Sequence, residues 1–189
     1  MPLLAACGAI PQARHEQPLR QSTAVFTPRP EAQACLAGLG RTNANFTPLP
    51  GQYYGAGCST LGPVRLASLV SDDARLGVSN LGPVTCPLAQ TFAAWARFGA
   101  DRAARQILGS ALVRVETMGS YNCRTIAGSD RMSSHATANA IDVSGFVLAD
   151  GRRITLTGSW SAGTVLGPAY NAAHRDHFHL EMSRGNFCR

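Results

Sequence analysis

The sequence predicts an α+β fold in which a small antiparallel sheet packs against one long helix. Three observations lead there. An apolar stripe at helical spacing runs through Pro87–Leu108. Ala111–Thr117 alternates with period two, as a strand does. Ala140–Leu148 and Arg152–Thr157 read as two strands joined by the tight turn Ala149-Asp150-Gly151. One long helix followed by antiparallel strands belongs to the α+β class. The chain has 189 residues, 45% of them hydrophobic, enough for one domain around a single core and too apolar for bulk disorder.

In chain order, residues 8 to about 30 are rich in Pro, Gln, Arg and Thr without periodicity. Residues 1–30 are therefore expected to be a truncated signal and flexible tether, and residues 31–189 the folded domain. A short helix is expected over Ala32–Leu39, stopping at Gly40. Between Thr42 and Val84, Gly and Pro punctuate the chain, leaving short strand candidates at Val64–Val70 and Arg75–Val78. The long helix starts at Thr85-Cys86-Pro87, since Pro suits the first helical turn. Its stripe is Leu88, Phe92, Trp95, Phe98, Ala103 and Ile107, which reads as core, and Gly109 ends it. In the strand that follows, Leu112, Arg114 and Glu116 are expected on one face and Val113, Val115 and Thr117 on the other. Phe178–Met182 is the last strand, and there are no internal repeats.

Composition narrows the setting. The net charge is +6, and every basic residue is Arg. Such a surface favours anionic partners, but the Arg residues are scattered with no basic run, which argues against nucleic acid. Six cysteines, Cys7, Cys35, Cys58, Cys86, Cys123 and Cys188, form no CxxC pair. That scatter fits disulfides in an oxidising compartment better than a cysteine-ligated metal. Leu4-Ala5-Ala6-Cys7 resembles the bacterial lipobox, which implies lipidation of Cys7 and an inner- or outer-membrane anchor. The residues before it are too few for a full signal peptide. With Cys7 lipidated, five cysteines remain and one lacks an intrachain partner. No stretch of about 20 apolar residues is present.

Four of the five histidines fall in two short segments, Ser133-Ser134-His135-Ala136-Thr137-Ala138-Asn139-Ala140-Ile141-Asp142 and His174-Arg175-Asp176-His177-Phe178-His179-Leu180-Glu181. Imidazole and carboxylate together suit zinc, whose catalytic sites use three protein ligands and an open position. Histidines two apart on a strand face the same side, so His177 and His179 can both enter one cleft. Either can bind metal, while the other, or His174 or Asp176, handles protons. Taken singly, each of these residues is better read as an ordinary strand histidine or a turn carboxylate. Jointly, the scarcity of His and the Asp in both segments favour a metal centre.

SxHxxxxAxD followed by DHFH resembles the zinc peptidases of the cell wall: the D-alanyl-D-alanine carboxypeptidases, the penicillin-insensitive murein endopeptidases and the related hedgehog-type fold. GSYNCR, SSHATANAIDVSGFVLADGRRI, VLGPAYNAAHRDHFHLE and the final Cys-Arg are more closely similar to the bacterial extensin-like protein C-terminal domain, over roughly residues 33–189. The resemblance implies metal ligands His135, Asp142 and His179. It also implies a hedgehog/DD-peptidase-like fold and peptidoglycan stem peptides as substrate, in the periplasm or cell envelope. His174, His177 and His179 match the HxxHxH ending of the endopeptidases, which implies His177 as the general acid/base or transition-state stabiliser. The carboxypeptidase pattern instead places the base at Asp176. Arg124 falls where the peptidases carry a YR motif, to bind a peptide carboxylate or an oxyanion, and Ser133 where a Ser binds the substrate terminus. The chain departs from the family between Trp160 and Thr164, where members carry a longer segment with a cysteine. The candidate left without its usual partner is Cys188. That departure keeps open a rival expectation, a non-catalytic, metal-stabilised envelope module.

Overall fold

The fold is described from a computed structural model, over residues 29–159 and 176–182. Helix α1 (Pro30–Gly40) comes first, as the sequence predicts, with Pro in its first turn. Ten strands follow among the described residues: β1 (Asn45–Pro48), β2 (Gln52–Gly55), β3 (Cys58–Thr60), β4 (Pro63–Val70), β5 (Arg75–Ser79), β6 (Val84–Thr85), β7 (Leu112–Gly119), β8 (Ala140–Leu148), β9 (Arg153–Thr155) and β10 (Phe178–Glu181). Helix α2 (Cys86–Ala94) lies between β6 and β7, and α3 (Leu156–Ser159) after β9.

The α+β class holds, but the sheet is larger than expected. Eight strands join it in the order β1-β4-β5-β7-β8-β10, with β6 on β4 and β9 on β8, while β2 and β3 form a separate hairpin. All its pairs among the described strands are antiparallel except β5 with β7. A parallel pair needs a long crossover, and the long helix provides it. The strands missed by sequence, β1, β2, β3 and β6, are two to four residues long and lack a resolvable period.

The long helix runs as predicted to Gly109, which takes the left-handed conformation (φ +70°) that a glycine cap allows. Its winding differs from the expectation. After Ala94 the coil widens to π-helical over Trp95–Asp101 and again over Ala104–Leu108. A wider turn shifts which residues after Ala94 face the core: Ala96 and Ala104 are buried, while Phe98 and Ile107 are exposed. The predicted stripe therefore leaves the core after Trp95. Asp101 is wholly buried in its place. It accepts the Leu112 N–H at 2.8 Å and the Arg105 guanidinium at 2.8 Å, fastening helix to β7.

In β7 the predicted alternation slips. Leu112, Val115 and Thr117 are buried, because register shifts between Leu112 and Arg114 where a bulge accommodates an extra residue. The core lies between this sheet and the helix, around Val64, Leu69, Leu76, Phe92, Val115, Ile141, Val143 and Leu148. Disulfides Cys35–Cys86 and Cys58–Cys123 close loops of 51 and 65 residues. The first ties α1 to α2, and the second ties β3 to the segment leading to His135. Two disulfides fit an oxidising compartment outside the cytoplasm. No helix among the described residues is long and apolar enough to cross a membrane. The expected tether and lipobox cysteine, His174, the Trp160–Thr164 segment and Cys188 lie outside the described residues.

Candidate metal centre

Strand β8 positions the centre. Its far edge is divided: β9 covers Gly145–Val147 and β10 covers Ala140–Val143. Asp142 lies in the second half, opposite Gly119 of β7 on one side and His179 of β10 on the other. Direct cross-strand pairing explains why residues 37 apart in sequence meet, with His179 Nδ1 2.8 Å from Asp142 Oδ1. His135 arrives from a single 3-10 turn, Ser134–Thr137, just before β8. That turn is capped by the Ser133 hydroxyl, which accepts the His135 N–H at 3.3 Å, and closed by Ala138 in the left-handed region.

One ligand atom each from His135, Asp142 and His179 falls within 4.8 Å of the others, so these three could hold a metal ion. The expected ligand set is thus the set the fold brings together. His135 is 3% exposed. Its Nδ1–H donates to the Ser120 carbonyl at 2.7 Å, and since a carbonyl only accepts, this fixes the tautomer. In the neutral ring Nε2 then carries the lone pair. It is buried, has no hydrogen-bond partner among the described residues, and lies 3.1 Å from Asp142 Oδ2. A buried lone pair aimed at a carboxylate is unfavourable unless a proton or a metal ion lies between them. The donor set of two imidazoles and a carboxylate matches zinc and similar divalent ions.

Charge is concentrated here. Burial pushes the Asp142 carboxyl up, but the His135 and His179 imidazoles more than offset this and hold it well below the usual carboxylate range. The bond to Asp142 raises His179 against a smaller opposing effect of burial. His177, in the bend just before β10, faces the same side as His179: its Nε2 lies 3.4 Å from Asp142 Oδ1. Asp176 holds the other His177 nitrogen at 2.8 Å, and that contact lowers the Asp176 carboxyl. Asp176 and His177, alternatives in the sequence, are here a pair, with Asp176 outside and the His177 ring turned inward.

Arg124 is exposed, and among the described residues its guanidinium reaches the Thr125 carbonyl at 3.3 Å rather than the cluster. Its own carbonyl accepts the Ser133 N–H at 3.1 Å. Sequence reasoning missed Ser120, whose contribution is a backbone carbonyl and carries no residue signal. It also missed Glu181, whose carboxylate lies 3.3 Å from His179 Nε2 and accepts from the Ser134 hydroxyl. The signal for Glu181 was present, since it stands two residues beyond His179 on the same strand face.

The family described as extensin-like protein C-terminus matches residues 33–164 and 161–189. The two matched stretches meet at residues 161–164, where the sequence shows its short segment. No curated protein and no solved structure matches the chain.

Proposed function

Because the chain belongs to the extensin-like protein C-terminus family and presents the His135, Asp142 and His179 group, we propose that it is a zinc-dependent peptidase. In this reading it works in the periplasm or cell envelope, with Cys7 as a lipid anchor. Its substrates are peptidoglycan stem peptides, cut as a carboxypeptidase or an endopeptidase. The observation that carries the reading is the orphaned His135 Nε2 facing Asp142, with a His177–Asp176 pair beside it.

When bound, zinc supplies Lewis acidity at the scissile carbonyl and brings the pKa of a water towards neutrality. The chain's own residues do the rest. His177, held by Asp176 through Nδ1, offers Nε2 to take the proton of the attacking water and return it to the leaving amine. Asp176, kept ionised, stabilises the imidazolium formed between those steps. Arg124 provides a guanidinium for a stem-peptide carboxylate or for the oxyanion. The Ser133 hydroxyl accepts from the His135 N–H and so retains its own proton for a substrate terminus.

The test is release of soluble peptides or D-amino acids from purified sacculi by zinc-loaded protein, with and without chelator. Chelator-sensitive release is expected, and the His177→Ala variant should lose 100-fold or more, roughly the contribution of general acid–base catalysis. Folded, metal-loaded protein that releases nothing from any sacculus preparation would end the peptidase reading. The division of the family match into two stretches that overlap at 161–164 favours one rival, an envelope module that binds without cutting. In that case a His177→Ala, Asp176→Ala double variant would restore a deletion strain as fully as the parent chain.

A further inference from the structure

We propose that Glu181 is a positioning residue of the metal centre. It selects which nitrogen of His179 faces the ion, and through Ser134 it ties the two ligand-bearing segments together. The inference rests on the metal reading above and goes beyond the three ligands.

The two histidine ligands present different nitrogens to Asp142: His135 through Nε2 at 3.1 Å, His179 through Nδ1 at 2.8 Å. Each needs a partner for its outward nitrogen. For His135 that partner is the Ser120 carbonyl, at 2.7 Å from Nδ1. For His179 the group at the outward nitrogen is the Glu181 carboxylate, 3.3 Å from Nε2. A carboxylate only accepts, so it keeps the proton on Nε2 and leaves Nδ1 to bind the ion. A carboxylate behind a ligating imidazole also raises its basicity and fixes its ring plane.

The same carboxylate oxygen accepts the hydroxyl of Ser134, the residue before His135. One side chain thus bridges the 3-10 turn that carries the first ligand and the strand that carries the last. Next to it, Asn139 Nδ2 donates to the Met182 carbonyl at 3.0 Å, closing the same seam. Glu181 is partly exposed, with its side chain at 40%, so its substitution leaves the core intact.

The experiment is zinc affinity by competition with a chromophoric chelator, for the parent chain and for Glu181→Ala, Glu181→Gln and Ser134→Ala. Nitrogen-15 spectra of the zinc-loaded protein report the His179 tautomer. Melting without zinc checks that each variant is folded. Glu181→Ala is expected to weaken zinc 10- to 100-fold, the usual consequence of losing such a partner, and to mix the His179 tautomers. Glu181→Gln, whose carbonyl still accepts from Nε2–H, should keep the tautomer and lose less affinity than Ala. Ser134→Ala should fall between Gln and the parent. Equal zinc affinity in Glu181→Ala and the parent overturns the inference while leaving the metal reading intact. Equal loss in Gln and Ala with an unchanged tautomer overturns it too, making Glu181 a ligand instead. A parent chain that binds no zinc overturns both. Sacculus activity enters none of these readings, so an inactive but metal-binding protein removes the peptidase reading alone.

Discussion

Without metal, His179 sits between two carboxylates and Asp142 among three imidazoles, so protons would compete with a bound divalent ion for the same atoms. The signs follow from the two shifts. His179 is raised from its ordinary value of 6.5, so its contribution to stability is complete below that value and is lost as pH rises through the folded-state pKa. Asp142 is lowered from 3.8, so its contribution is present above that value and is lost only as pH falls through the lower folded-state pKa. The metal-free protein should therefore be most resistant to heat between pH 3.8 and 6.5, with its melting temperature declining above that window. Zinc binding should show the opposite trend and strengthen with rising pH, releasing a proton from His179. Melting curves across pH in chelator and in zinc check both; a metal-free protein whose melting temperature rises from pH 6.5 to 8 would contradict the first. At this scale the sequence was informative about ligands and poor about their supports. His135, Asp142 and His179 were visible because imidazoles are scarce here and each segment holds an Asp. Ser120 was invisible because a carbonyl has no letter. Glu181 was marked only by standing two residues beyond His179 on the same strand face.

Among the elements, β8 is the one on which fold and site both depend, and its two halves are separable. At Gly145, where β9 pairs, an added Cβ would meet the Ile154 carbonyl at 2.8 Å and Glu116 Oε2 at 3.1 Å. Backbone cannot yield as a flexible side chain does, so Gly145→Ala should push β9 off its partner at a cost of about 1–3 kcal/mol. The half of β8 that carries Asp142 pairs with β10, so zinc affinity should stay within a few-fold of the parent chain. Denaturant midpoints and zinc titration measure the two effects, and a large loss of zinc affinity would show that the halves are coupled. Strands with a clear period, such as β4 and β8, were legible in the sequence. The inward face of β7 was not, because the pairing register shifts along the strand and a strict alternation does not carry through it. The helix failed differently: its existence and its Gly109 end were plain, but its face drifted once Trp95–Asp101 wound more widely. A stripe scored at α-helical spacing has no means of seeing that.

For the whole molecule, two crosslinks reinforce a core of ordinary aliphatic residues. By loop-closure entropy each disulfide contributes about 4 kcal/mol. Cys35–Cys86 holds helix to helix, whereas Cys58–Cys123 anchors the strand hairpin to the segment that runs on to Arg124, Ser133 and His135. Replacing Cys58 and Cys123 by Ser should therefore lower both melting temperature and zinc affinity. Replacing Cys35 and Cys86 should lower melting temperature with little change in affinity. Equal affinity losses in both variants would mean that stability alone controls the site. The six scattered cysteines announced crosslinks, but pairing depends on distances that spacing does not encode, and the size of the sheet was hidden by strands too short to show a period.

The three residues that could hold a metal ion come from three places in the chain, and the last of them lies on β10, which follows every other described strand. A ribosome or a translocation channel delivers the chain from its N-terminal side, so His135 and Asp142 emerge while the strand bearing His179 is still confined. One imidazole and one carboxylate hold a divalent ion weakly. The group can close only when β10 zips onto β8, so capture of an ion there would mark the end of folding rather than its beginning. Whatever compartment the chain occupied at that moment would then set which metal it kept.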